Sequence, residues 1–201
     1  MKIKKIIVIL LFTFIAQLIV SCCNCGEPLV LHYTNKQVII SSLDNRGEQP
    51  LVSASTTFIK TAYGIKINII RENIACIKKT YTFLIQSANA RKCSCPSNHY
   101  LPRDSITSLK IFTLNDFDSN HSANSDISPY FKVFKENTFT PISSYLKNSD
   151  NSLNYNQGYN QDTDILLMSA PTIKNKHKFK VQIILSDGRI LEQETLLIEL
   201  I

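Results

Sequence analysis

The alternation of apolar and polar residues near the C-terminus constrains the fold of this chain more than any other feature. In "KFKVQIIL", every second residue from Phe179 to Leu185 is apolar. Successive side chains of a strand point to opposite faces, so this period of two predicts a strand with one buried face. Asp187 and Gly188 come next and supply the positive-φ residues of a tight turn. We therefore predict a β-hairpin that returns through "ILEQETLLIEL".

Five further stretches alternate in polarity or are rich in β-branched and aromatic residues, as strands are. They are residues 32–40, 63–70, 80–87, 106–114 and 164–171. One short helix is predicted at residues 141–147, because proline suits the first helical turn. About six to eight strands with so little helix favour an all-β fold, an antiparallel β-sandwich with at most one or two short helices.

The first residues are typical of an exported protein. "MKIKK" is a basic head, and the run from Ile6 to Val20 is apolar except for Thr13 and Gln17. As a helix this run would span roughly 22 Å at about 1.5 Å per residue, less than the roughly 30 Å hydrocarbon core of a bilayer. A basic head with a short apolar core predicts a secretory signal and not a permanent membrane span.

The signal ends in "IVSC", residues 19–22, which resembles the cleavage box of bacterial lipoprotein precursors. In such precursors the cysteine thiol receives a diacylglyceryl group and the peptide is cut before it. One acyl chain binds a membrane only marginally, whereas two or more hold firmly. The resemblance implies that residues 1–21 are removed, that Cys22 is lipidated, and that residues 22–29 tether one domain of residues 30–201.

Removal of the signal would leave 180 of the 201 residues, with 19 basic and 16 acidic side chains. A chain of that size buries about 70% of its unfolded surface, enough for one core. The small positive excess does not suggest a nucleic-acid-binding protein. The basic stretch "KNKHKFK", residues 174–180, ends in alternating charged and apolar residues, so it is predicted to be the solvated face of a strand.

Five cysteines remain besides Cys22, and an exported protein is expected to form disulfides among them. They are Cys23, Cys25, Cys76, Cys93 and Cys95. The sequence does not choose among the possible pairings. The two C-x-C pairs could instead offer four thiolates to zinc or copper(I), although zinc ligands are usually spaced more widely. Disulfides are the preferred interpretation, and we expect no metal or other cofactor.

Motifs for catalysis are not found. "DFDSNHSANSD", residues 116–126, starts like a calcium loop, but its sixth position is His121 instead of glycine and its twelfth is Ile127 instead of glutamate. An Asx-rich turn explains the same residues. The histidines are not accompanied by G-x-S-x-G or H-E-x-x-H. We therefore expect a protein that is not an enzyme.

The stretch "NSDNSLNYNQGYNQDTD", residues 148–164, has no periodicity and is predicted to be a long loop. Loops at the end of a sandwich often carry binding function, and tyrosine suits recognition at low entropic cost. The candidate binding residues in and beside this loop are Tyr145, Tyr155 and Tyr159.

Several features together resemble uncharacterised lipoproteins of Bacteroidetes, families with a domain of unknown function. They are the lipidation box, the cysteines after it, "DSITSLKIFTLNDFDSNHSANSDISPYF" and the closing strand–DG–strand pattern. The resemblance implies an immunoglobulin-like or transthyretin-like sandwich that is lipid-anchored to the outer membrane, on its periplasmic face or at the cell surface. It brings no catalytic residues. We expect a non-catalytic interaction module for an envelope protein or a glycan, with a metal-binding lipoprotein as the alternative.

Overall fold

Strand β1 (Val30–Asp44) is the longest element of the computed structural model, which describes residues 30–73, 99–147, 153, 162–173 and 175–201. It pairs antiparallel with β4 (Tyr63–Asn73), and a register shift between Asn35 and Gln37 marks a β-bulge. Strand β4 confirms the period of two predicted for residues 63–70, because Ile65, Ile67 and Ile69 are at most 2% exposed whereas Ile70, on the other face, is exposed.

The other strands of the described residues are shorter. They are β2 (Leu51–Val52), β3 (Thr57–Phe58), β5 (His99–Pro102), β6 (Ile106–Thr113), β7 (Phe131–Lys135), β8 (Thr138–Pro141), β9 (Thr163–Leu167), β10 (Lys176–His177), β11 (Phe179–Leu185), β12 (Ile190–Glu194) and β13 (Ile198–Leu200). A 3₁₀ turn (Ser128–Tyr130) precedes β7, and the helix α1 (Ile142–Lys147) follows β8.

The strands form three sheets. The largest has the order β2-β1-β4-β9-β7-β8, with β5 added in parallel beside the start of β1. The second has the order β12-β11-β6 and the third β10-β13-β3. Strand β12 lies along β1, since the backbone N–H of Ile40 donates to Gln193 Oε1 at 2.9 Å. Most of the pairing is antiparallel, and the predicted all-β, sandwich-like fold is confirmed.

One hydrophobic core joins the large sheet, the second sheet and α1. The Phe179 ring of β11 lies between two rings of the large sheet, 5.6 Å from the Tyr63 centroid and 5.8 Å from that of Phe131. Aromatic pairs in these geometries stabilise a core beyond the area they bury. The fully buried residues include Tyr63, Ile65, Ile67, Ile111, Phe117, Ile127, Ile165, Phe179, Val181 and Ile183.

The predicted hairpin of β11 and β12 is present, but its loop is longer than the tight turn expected. The Leu185 N–H donates to the Arg189 carbonyl at 2.9 Å, which closes a loop around Asp187 and Gly188. Only Gly188 of these two has a positive φ, at 86°. Asp187 instead accepts the Arg189 N–H at 3.0 Å through its carboxylate. This is a type I turn followed by a glycine bulge, the usual form of the next longer hairpin loop.

A second hairpin, β7 with β8, is not predicted by the sequence pattern. Lys135 pairs with Thr138, and the two residues between them, Glu136 and Asn137, have φ values of 50° and 60°. Two consecutive positive φ angles define a type I′ turn, which usually contains asparagine or glycine. Because glutamate is unusual in the first position of a type I′ turn, the sequence does not indicate a turn here.

The predicted helix at residues 141–147 is confirmed as α1 (Ile142–Lys147), directly after Pro141. The predicted strand at residues 164–171 is present as β9 but ends at Leu167. The predicted strand at residues 80–87 lies outside the described residues, as does most of the predicted loop at residues 148–164.

Candidate functional site

A groove opens where the pairing along the outer edge of β6 stops. Residues 125–127 run beside the second half of β6, and the Ile127 N–H donates to the Ile111 carbonyl at 2.8 Å. The chain then turns away through the 3₁₀ turn into β7. The gap left beside residues 107–110 is bounded on its other side by β7 and α1 and has a volume of about 510 Å³. Ligand pockets in proteins typically have volumes of roughly 300–1,000 Å³.

The floor of the groove is apolar and belongs to the core. Leu109 of β6, Phe131 of β7 and Ile142 of α1 line it, and each is at most 5% exposed. Pro129 and Leu146 lie beside them. Because protein interiors are close-packed, the core side chains fix the positions of the three walls. Three of the walls are therefore regular elements, β6, β7 and α1, and residues 126–129 complete the lining.

Three lysines from three different elements surround this floor. They are Lys110 on β6, Lys132 on β7 and Lys147 in the last turn of α1. Lys110 forms an ion pair with Asp126 at 3.2 Å. Within the part of the chain that the structure describes, Lys132 and Lys147 form no ion pair. The groove lining therefore has a positive excess next to low-dielectric walls, an arrangement that attracts anions.

The carboxylate of Asp126 holds the wall of the groove in place. Its Oδ1 accepts the Ser128 hydroxyl at 2.5 Å and the Ser128 N–H at 3.0 Å. The same Ser128 hydroxyl oxygen accepts the Ile111 N–H at 2.8 Å. Burial alone would raise the pKa of Asp126, but the Ser128 hydrogen bonds and Lys110 lower it overall. Asp126 is therefore ionised at neutral pH and positions the 3₁₀ turn and Lys110.

A second polar cluster joins β1, the start of β6 and the β11–β12 loop. Asp104 is only 2% exposed and accepts the Asn35 N–H at 3.0 Å, the Thr34 hydroxyl at 2.5 Å and a hydrogen bond from the Arg189 guanidinium. The β-bulge at Asn35 interrupts the β1–β4 ladder at this point. No spacing in the sequence indicates this cluster, because Asp104 and Asn35 are 69 residues apart.

Arg71 extends this cluster beneath the surface. Its guanidinium lies 4.6 Å from the Tyr33 ring centroid, in cation–π geometry, and donates to the Leu153 carbonyl at 2.7 Å and to Asn35 Oδ1 at 3.4 Å. Burial lowers the pKa of Arg71, against the opposing effects of Tyr33 and Asp104. These contacts satisfy a buried cation, so the cluster has a structural role.

The loop at residues 116–126 forms the predicted Asx turn. Asp118 Oδ1 accepts the Asn120 N–H at 2.8 Å and the His121 N–H at 2.9 Å. The same oxygen lies 2.8 Å from His121 Nδ1, and the Tyr130 hydroxyl lies 3.3 Å from that nitrogen. Burial alone would raise the pKa of Asp118, but hydrogen bonds to its carboxylate from His121, Asn120 and Tyr130 lower it overall. The His121 imidazole thus connects the loop, through Asp118, to the 3₁₀ turn, through Tyr130.

The other three histidines, His32, His99 and His177, lie in strands. His32 lies in β1, and His99 starts β5 beside it in the sheet. His177 is fully buried and stacks on Phe179 at 6.0 Å between centroids. On either side of Phe179, Lys178 and Lys180 pair with acidic residues of β12, at 2.5 Å and 3.7 Å. In the described part of the basic stretch, residues 175–180, the lysines thus face solvent beside β10 and β11, as predicted, and Lys174 lies outside the described residues.

The structure places Tyr145, a candidate binding residue, inside the protein. It lies in α1, is 7% exposed and belongs to the hydrophobic core, so its ring does not present the exposed face that the loop interpretation requires. The other candidate residues lie outside the described residues: Tyr155, Tyr159, Cys22, Cys23, Cys25, Cys76, Cys93 and Cys95.

Among the described residues, no three His, Cys, Asp or Glu side chains are grouped so that they could hold a metal ion. In that same part of the chain, no helix has both the length and the apolar character needed to cross a bilayer.

Comparison with known proteins adds one finding to this geometry. A family model described as a domain of unknown function (DUF5034) matches residues 35–196. The matched range contains the groove, the β11–β12 hairpin and most of the Asp104 cluster, whose Tyr33 and Thr34 lie just before its first residue. No curated protein and no solved structure matches the chain.

Proposed function

We propose a non-catalytic binding role at the cell envelope for this chain, which belongs to the DUF5034 family of domains of unknown function. In this proposal Cys22 carries the lipid anchor to the outer membrane and residues 22–29 form the tether. The domain then holds an envelope partner, a protein or a glycan, in the groove between β6, β7 and α1.

The groove is the observation that supports the binding role. It has a volume of about 510 Å³, a floor of core side chains, and lysines that converge on it from three separate elements. Lysines that serve only to keep a protein soluble do not need to lie around one groove. An apolar cavity with a few convergent polar groups is the usual form of a binding site.

Photocrosslinking from two neighbouring positions of α1 tests the role of the groove. Ser143 and Ser144 are both exposed, but only Ser143 lines the groove. A benzophenone side chain at Ser143, in cells that express the full chain, is expected to give a discrete adduct that is absent from Ser144. The adduct should disappear in Lys132→Glu/Lys147→Glu. Equal labelling from both positions, or none, would contradict binding in the groove.

Fractionation and intact mass test the anchor. The native protein is expected in the membrane fraction with an acylated N-terminal Cys22. Cys22→Ser should be found in the soluble fraction or as an uncleaved precursor, and Cys23→Ser should behave as the native protein does, because only the first cysteine of the box is acylated. A native protein without an acyl group would rule out the anchor.

A further inference from the structure

We infer that the partner enters the groove as an extended peptide, with acidic and apolar residues in alternation, and adds as a strand to the open edge of β6. This inference rests on the proposed binding role and names the chemistry of the ligand. Two independent features of the groove carry it, one in the backbone and one in the charged side chains.

The backbone of β6 has an open position at Leu109. Both polar groups of Ile111 point away from β11, because its N–H donates to Ser128 Oγ and its carbonyl accepts from Ile127. Strand groups alternate with a period of two, so the N–H and carbonyl of Leu109 point the same way, into the groove. Neither group has a hydrogen-bond partner among the described residues. An added strand would supply a donor and an acceptor to this position.

The side chains around this edge complement an alternating acidic peptide. The Leu109 and Phe131 side chains point into the core and are 4% and 1% exposed. The next residue of each strand, Lys110 and Lys132, points to the opposite face and lines the groove. A strand beside β6 would place every second residue on the apolar floor and the others near the lysines. Carboxylates at the outer positions would match the positive excess, to which Lys147 also contributes.

An anionic glycan could bind the lysines. It would not form the regular strand hydrogen bonds that a peptide can form with the N–H and carbonyl of Leu109. Sugar rings are usually held by exposed aromatic faces, whereas the aromatic ring of the groove floor, Phe131, is 1% exposed. The observations therefore favour a peptide.

The test uses the full chain in a nonionic detergent and the peptide fluorescein-EVEVEVE-amide, labelled at its N-terminus, with fluorescence anisotropy as the readout. Saturable binding is expected, and none of the basic peptide KVKVKVK. Lys132→Glu/Lys147→Glu should weaken binding at least about tenfold, because it reverses the unpaired charges of the groove. Lys135→Glu/Lys176→Glu makes the same charge change at exposed positions away from the groove lining and should leave binding within about twofold.

Backbone methylation separates strand addition from simple charge attraction. Two versions of the peptide carry N-methyl groups on all valines or on all glutamates, so that each blocks one edge of the extended chain. One version should lose binding at least about tenfold and the other should keep it, since a strand pairs along one edge. Equal affinities of the two would overturn strand addition.

A heptameric oligogalacturonate is the comparison ligand. If it binds with the same lysine dependence and the peptide does not bind, the peptide inference is wrong while the groove remains a binding site. If neither ligand binds and crosslinking from Ser143 equals that from Ser144, the proposed function fails as well.

Discussion

Arg189 donates a hydrogen bond from its guanidinium to the buried carboxylate of Asp104. The Asp104 side chain is 3% exposed and that of Arg189 is 43% exposed. A second guanidinium nitrogen donates to the Asn35 carbonyl at 3.0 Å. This contact fastens the β11–β12 loop to the bulge of β1. Together with the hydrogen bond between Gln193 and Ile40, it holds the second sheet along β1.

Asp104→Ala is expected to lower the free energy of unfolding by about 3 kcal/mol. The substitution leaves the buried Asn35 N–H without its acceptor and Arg189 without a buried partner. Asp187→Ala removes an exposed carboxylate that forms an ion pair with the same Arg189. It should lower the free energy of unfolding by less than about 1 kcal/mol. Urea unfolding of both variants measures the difference. Equal losses in the two would show that the Asp104 cluster does not stabilise the fold.

Gly64→Ala is expected to destabilise the protein by about 1–3 kcal/mol through overpacking. A Cβ at Gly64 would lie 2.5 Å from Leu166 Cδ2 and 2.9 Å from the Ile165 carbonyl oxygen, between β4 and β9. Gly47→Ala is the matched control, because its Cβ would meet nothing closer than 3.7 Å, and its effect should stay within about 0.5 kcal/mol. The thermal unfolding midpoints of the two variants measure the difference in stability between them. An unchanged midpoint for Gly64→Ala would mean that β4 and β9 can separate without cost.

Glu136→Asn is expected to stabilise the protein by about 0.5–1 kcal/mol. Glu136 has a φ of 50° in the type I′ turn between β7 and β8, a conformation that asparagine adopts more readily than glutamate does. Glu136→Gln removes the charge but keeps the conformational preference, so it should leave stability unchanged. Urea unfolding curves of the two variants, compared at equal dependence of the unfolding free energy on urea concentration, measure the two effects. Equal gains in both variants would assign the effect to charge and not to the backbone.

Asp126 is expected to contribute to the acid sensitivity of the fold. Its pKa in the folded protein lies below the ordinary value of 3.8. A lowered folded-state pKa adds stability that is fully present above the unfolded pKa and is lost as the pH falls through the folded pKa. Asp126→Asn should therefore be less stable than the native protein at neutral pH, and the two should converge as the pH falls below 3.8. Urea midpoints across the acid range measure this, with the exposed Glu48→Gln as the control. A constant difference at all pH values would contradict it.

The local patterns of the sequence were sufficient for the class of fold. The period of two in β4 and β11 reflects burial of one strand face, and Gly188 marks the loop between β11 and β12 at a position that needs a positive φ. Pro141 correctly marks the start of α1. Each of these signals acts within a few residues, so it can be interpreted without knowledge of the rest of the fold.

Composition alone misplaced one candidate residue. The frequency of tyrosine and asparagine nearby predicts that Tyr145 belongs to an exposed loop, yet its side chain packs from α1 into the core. The side that a helical residue presents depends on what packs against the helix, and composition does not contain that information. The sequence pattern does not predict the β7–β8 turn for a related reason, because Glu136 adopts a backbone angle that its residue type disfavours.

By itself, the sequence determined that the domain is built from strands, which faces of β4 and β11 are buried, and where the last hairpin and the helix lie. Only the tertiary structure decided that Lys110, Lys132 and Lys147 meet at one groove and that Asp104 meets Arg189. Strand alternation and turns are set by neighbours in the chain. The meeting of these charges is set by which strands pair and where pairing along β6 stops, and that depends on how the whole core packs.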